Sequence, residues 1–191
     1  MIVVASDETE RIPQTGAVSS AQEALATLPE SVLEELWRPA TLELLARSYW
    51  RFLSKISLRL VRVIYGPASR TVVLLSRRLP LLRFHAPEYE TGALSGTVTW
   101  RIDRGLLVAR QGRGHGHLRI SVRRVDDAGP ARVRVRLEVR NFYPWLRGGG
   151  RFARLGAWFY ARTQLRVHEA VCRGFLRSLA RLEPELLRGE R

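Results

Sequence analysis

The chain has one cysteine, Cys172, and one lysine, Lys55, and it is short of acids, with 18 Asp and Glu against 32 Lys and Arg. A lone cysteine cannot close an intramolecular disulfide, so a reducing cytoplasmic setting fits better than a secreted one. No CxxC pair and no GK[ST] triplet occurs, and without them neither a cysteine-built zinc site nor a phosphate loop is expected. Apolar runs are short and broken by arginine, far from the roughly 18 apolar residues of a membrane-spanning helix. The N-terminus carries Asp7, Glu8 and Glu10 and does not read as a basic-then-apolar export signal.

What is present is positive charge, unevenly placed. The net charge is +14; residues 1–50 hold eight acids against Arg11, Arg38 and Arg47, a balance of −5, which leaves +19 for residues 51–191. Such a surplus implies either an anionic partner or plain colloidal repulsion. With 191 residues and 46% hydrophobic content, one substantial core is the expectation. Residues 1–30, mixed in Ser, Thr, Gln, Glu and Ala, read as a flexible tail, residues 31–182 as a single domain, and residues 183–191, at Pro184 and beyond, as a frayed end.

Two short N-terminal helices are expected. Ser31 and Glu34 have capping-box spacing ahead of Leu33, Leu36 and Trp37. After Pro39, a second helix from about Thr41 carries Leu42, Leu45, Tyr49, Phe52 and Leu53. The period then shortens to two. SLRLVRVIY (57–65) and RTVVLLS (70–76) flank GPAS as a hairpin, residues 81–92 offer a further strand, and TVTWRI is paired in this reading with RGLLVARQ (104–111). HLRISVRRV (117–125) and RVRVRLEVR (132–140) flank the turn DDAGPA. Residues 151–182 place Leu165, His168, Cys172, Phe175, Leu179 and Leu182 on one seam and predict a long C-terminal helix.

The fold class expected is therefore α+β: a curved antiparallel sheet of about six strands wrapping the long C-terminal helix. The element order, with ARVRVRLEV, a glycine run and LGAWFYARTQLRVHEAVCRGFLRSLARL at the end, resembles the helix-grip superfamily of START lipid-transfer domains and polyketide cyclases. GTVTWRIDRGLLVARQGRGHGHLRI, NFYPWL and RTQLRVH also resemble a bacterial family without an assigned activity. The helix-grip resemblance implies a cavity between sheet and helix that holds a hydrophobic small molecule or lipid, lined by Trp100, Tyr143, Trp158 and His168. It also admits a cyclase or dehydratase type of enzyme in the same cavity, with His168 as candidate base. No cofactor is implied.

GRGHGHL (112–118) invites three readings. A phosphate loop needs glycines that end a strand and open a helix, whereas LRISV follows here with strand period. His115 and His117 could share a strand face, yet a lone pair lacks the three or four ligands of a stable zinc site. A bend or bulged turn built on Gly112, Gly114 and Gly116 accounts for the pattern most simply. His168 on the apolar seam reads either as a satisfied core imidazole or as a pocket base, with Thr163, Gln164 and Glu169 nearby. NFYPWLRGGG (141–150) reads as core aromatics, a gate or a membrane-inserting tip.

Pairing 117–125 with 132–140 about residue 128 or 129 sets Arg119 near Glu138, Ser121 near Arg136 and Arg123 near Arg134. Facing arginines repel by a few tenths to about 1 kcal/mol unless an acid or anion intervenes. The acidic N-terminal segment, an anionic membrane surface or nucleic-acid phosphates could supply it. Arg119, Arg123, Arg134 and Arg136 are thus candidate anion contacts, in an Arg-rich adaptor or on a merely solvated face. Nucleic acid is disfavoured, since aromatics do not interleave with these bases.

Overall fold

The computed structural model describes residues 2–11, 17–27, 37–125, 132–143 and 174–175. Their elements are β1 (Ile2–Arg11), β2 (Val18–Thr27), α1 (Pro39–Ile56), β3 (Val61–Gly66), β4 (Ser69–Leu74), β5 (Pro80–His85), β6 (Glu88–Gly92), β7 (Ser95–Arg104), β8 (His117–Val125) and β9 (Arg132–Phe142). The strands form one antiparallel sheet in the order β1-β2-β9-β8-β7-β5-β4-β3, with β6 on β7 beside that path. β7 is long enough to be shared. One edge pairs with β8 through Ser95–Arg101, while the other pairs with β6 through Ser95–Thr99 and with β5 at Ile102 and Arg104.

Strict alternation separates two faces. Val133, Val135 and Leu137 of β9, Leu118, Ile120 and Val122 of β8 and Val98, Trp100 and Ile102 of β7 all point inward and are buried, as side chains two apart on a strand must share a face. Helix α1 covers part of this inner face. Pro39 takes its first turn, where the missing N–H costs nothing, and Leu42, Leu45, Ala46, Tyr49 and Trp50 are buried at helical spacing. Trp50 meets Trp100 edge-on at 5.2 Å and Phe84 at 5.6 Å between ring centroids. The helix comes so near β7 that a Cβ on Gly96 would lie 2.8 Å from Leu42 Cδ2. Phe175, in a helical stretch at 174–175, packs on Tyr49 and Phe52.

The fold class expected from sequence is overturned. Among the described residues there are nine strands rather than about six and one helix of more than three residues, α1. The expected tail, residues 1–30, instead supplies β1 and β2, which pair antiparallel with a register shift between Val4 and Ser6, and β2 docks on β9. The β2 segment VSSAQEALAT has little intrinsic strand preference; the free edge of β9 imposes the strand, a case of tertiary context overriding propensity. The first of the two N-terminal helices, at residues 31–37, lies outside the described residues apart from Trp37, which is in a turn. The long C-terminal helix, 151–182, is not seen; all of it but 174–175 lies outside the described residues.

Two smaller corrections concern β7 and its surroundings. RGLLVARQ is not its hairpin partner: Leu106 and Leu107 donate to the carbonyls of Pro80 and Leu81, and Arg110–Gly112 form a short 3-10 turn. The expected strand over 81–92 is divided into β5 and β6 around Ala86 and Pro87, because proline cannot donate to a ladder.

Candidate functional site

The inner face continues past α1 onto β9 and β2. Helix α1 packs across β3, β6 and β7, and further along the sheet β2 turns Ser20, Gln22, Ala24 and Ala26 to the same side as Val133–Val139. Gln22 stands opposite Leu137 and Ser20 next to it opposite Val139. Gln22 is 1% exposed, yet among the described residues neither its Nε2 nor its Oε1 has a hydrogen-bond partner, and the same holds for Ser20 Oγ. Buried polar groups are nearly always paired, because an unpaired one forfeits its bonds to water at a cost of about 1–3 kcal/mol. Here an amide that can give two hydrogen bonds and accept two sits among Ala24, Val135 and Leu137 with neither function used.

The outer face is a mesh of ion pairs. Glu138, buried although it points away from the core, is its centre. Arg136 Nε and Arg140 Nε each donate to Glu138 Oε2 at 3.2 Å, and Arg119 Nη1 lies 3.5 Å from Oε1. Burial alone would raise the Glu138 pKa, but the arginines outweigh burial and hold the carboxyl below its ordinary range. Arg136 also donates from Nη1 to Glu23 Oε1 at 2.6 Å, and Arg134 Nε lies 3.7 Å from Glu23 Oε2. Glu23 thus ties β2 to β9.

His117 stands on this face opposite Arg101 and Arg140. Its Nε2 is buried and unpartnered among the described residues, 3.7 Å from Glu138 Oε1, too far for a hydrogen bond. Burial, with the positive charge of Arg119, pushes its pKa down. The imidazole is therefore neutral at pH 7 and its approach to Glu138 is not an ion pair.

The residues singled out from sequence are distributed as follows. Arg119, Arg123, Arg134 and Arg136 share the outer face in the expected register, Arg119 opposite Glu138 and Arg123 opposite Arg134. The acid that intervenes by Arg134 is Glu23, from the N-terminal segment. Trp100 is on the inner face, 1% exposed, with Trp50 of α1 packed edge-on against it. Tyr143 lies beyond the end of β9, where its ring is 6.5 Å from that of His115 and its Cβ lies so close to Gly112 that a Cβ there would be 2.2 Å away. Trp158, His168 and Cys172 lie outside the described residues.

GRGHGHL is a turn: Gly114 has φ +76, and Gly114 N–H donates to Ile102 O before β8 begins at His117. Ser20, Gln22 and Glu23 were not singled out from sequence, because a segment read as tail has no inside or outside. Among the described residues no group of three or more His, Cys, Asp or Glu is placed to hold a metal ion, and no helix is long and apolar enough to cross a membrane.

No protein-family model matches the chain, and no curated protein matches it. Among solved structures the chain is similar to CalU16 from Micromonospora echinospora, with a TM-score of 0.37 and 12% identity over 98% of this chain and 89% of that one.

Proposed function

We propose that the inner face over β2 and β9 binds a small molecule with an apolar body and one hydrogen-bonding group, which Gln22 and Ser20 engage. The observation that supports this reading is the buried, unpartnered amide of Gln22. A ligand carbonyl, hydroxyl or amide would accept from Nε2 or donate to Oε1, while Ala24, Val135 and Leu137 would meet its apolar part. Such a division, mostly apolar lining with a few convergent polar groups, is the usual make-up of a small-molecule site. Among the described residues, the neighbours of Gln22 on this face are Ser20, Ala24, Val135, Leu137 and Val139, which suit contact with an apolar ligand body.

The test is native mass spectrometry of freshly purified protein, with solvent extraction of whatever is released, on the wild-type chain and on Gln22→Leu. The expected result is an apolar adduct on the wild type that is absent or substoichiometric on the variant. A clean apo mass for the wild type, together with a Gln22→Leu variant that melts higher, would identify Gln22 as an uncompensated core polar group and overturn the reading.

A further inference from the structure

A separate feature, independent of the Gln22 site, lies at the far edge of the sheet. The turn that follows α1 (57–60) and the turn between β4 and β5 (75–79) lie side by side: Leu75 N–H donates to Leu60 O at 2.7 Å, and Arg62 Nη2 donates to Leu75 O at 3.0 Å. Between them they present Leu58, Leu60, Leu75 and Leu79 to solvent, Leu58 83% exposed and Leu75 56%. Leu58, Arg59 and Leu75 have φ of 52, 64 and 58. They are three of the four non-glycine residues with positive φ among the described residues. The left-handed region costs an ordinary side chain of order 1 kcal/mol or more. The backbone therefore holds leucines outward in a conformation that asparagine or glycine would adopt more readily.

The charge around them is of one sign. Between Glu43 and Glu88 the chain has nine basic residues and no acid. Arg59, Arg77 and Arg78 are exposed in the same two turns, Arg62 lies just beyond them, and none of the four has an acidic partner among the described residues. This contrasts with the outer face, where each of Arg101, Arg119, Arg134, Arg136 and Arg140 has a carboxylate within 4 Å.

Exposed leucines within a rim of unpaired arginines match one kind of surface. We infer that the paired turns 57–60 and 75–79 dock the protein on an anionic phospholipid bilayer, with the leucines entering the headgroup–acyl boundary and Arg59, Arg62, Arg77 and Arg78 meeting lipid phosphates. Each arginine near an anionic leaflet adds to the attraction, and apolar side chains at the boundary add burial. Nucleic acid would use the arginines but leave the leucines without a role, so the leucines decide between the two.

The experiment is vesicle flotation with the full chain, comparing phosphatidylcholine vesicles containing phosphatidylserine with pure phosphatidylcholine, and a duplex oligonucleotide as a second probe. Two variants are used. Arg77→Ser with Arg78→Ser removes charge, and Leu58→Asn with Leu75→Asn removes the apolar tip while relieving the left-handed strain, so the melting temperature of the latter should not fall. The wild type should float with phosphatidylserine vesicles and much less with phosphatidylcholine. The arginine variant should bind roughly thirty-fold more weakly and the asparagine variant at least about tenfold more weakly. Wild-type protein that fails to float with phosphatidylserine overturns the inference. So does an asparagine variant that floats as well as wild type, or tighter binding to the oligonucleotide than to the vesicles.

Discussion

Arg119 on β8 stands directly opposite Glu138 on β9, and its Nη1 lies 3.5 Å from Glu138 Oε1. Arg136 and Arg140 reach the other oxygen of the same carboxylate, so Glu138 is shared by three arginines, of which Arg136 also pairs with Glu23. Glu138→Gln should lower unfolding stability in urea by about 2 kcal/mol, the order of losing charge-assisted hydrogen bonds from a buried group. Exposed Arg101, paired bidentately with Glu88 at 2.7 and 3.0 Å, gives the control. Glu88→Gln should cost far less than Glu138→Gln, as for an exposed pair that water and salt screen.

Acid should weaken the fold in two stages. His117 has its pKa lowered by burial and by Arg119, so the unfolded chain binds its proton more readily than the folded one. Stability is then full above the ordinary value of 6.5 and falls as pH drops through the folded value. Glu138, held low by its arginines, adds a second loss of the same sign below its ordinary 4.5. Thermal melts of His117→Gln should lack the first stage and keep the second; an unchanged pH profile would mean that His117 is not held neutral.

The glycines of the 112–116 turn should divide by the reason each is needed. Gly112→Ala places a Cβ against Tyr143 and should destabilise by about 1–3 kcal/mol through overpacking. Gly114 has open space around it but φ +76, so Gly114→Ala should cost about 1 kcal/mol through backbone strain alone. Chemical denaturation of the two variants checks the difference, and Gly114→Asn should recover most of the loss.

Trp100→Ala should cost about 3–5 kcal/mol, as for a large buried aromatic, because Trp50 rests on it. The loss should appear in protein stripped of any extracted adduct. A Trp100→Ala variant as stable as wild type would return Trp100 to the lining of a cavity.

The β8–β9 pairing was legible because β9 alternates without exception, β8 alternates as far as Arg123, and the sequence between them, DDAGPA, is rich in residues that favour turns, so strand identity, register and the Arg119–Glu138 contact all followed. Helix α1 was legible from Leu42, Leu45 and Tyr49, though its first turn is set by Pro39. β2 was not: Ala21, Ala24 and Ala26 carry no signal until β9 is there to pair with. RGLLVARQ misled because its Leu-Leu-Val run reads as a strand, while Gly105 at φ +151 lies against the carbonyl of Leu81 and turns the chain away. On the outer face alternation indicated that Glu138 points away from the core, but not that it is buried there, since burial is set by neighbours from other strands and not by the period of β9. The polar pair Ser20 and Gln22 was hidden with the strand that carries it.

The order in which the chain is made bears on the β1–β2 hairpin. Glu23 meets Arg136, a partner 113 residues later, so β2 has no strand to dock on until β9 has been synthesised. At ribosomal rates of about 5–20 residues per second that delay is on the order of ten seconds. During it the first strands must stay soluble without their neighbour, and the acids Asp7, Glu8, Glu10 and Glu23 suit a segment that waits. The sheet is thus completed by its earliest residues, and a ribosome pause before β9 would hold the protein one hairpin short of closure.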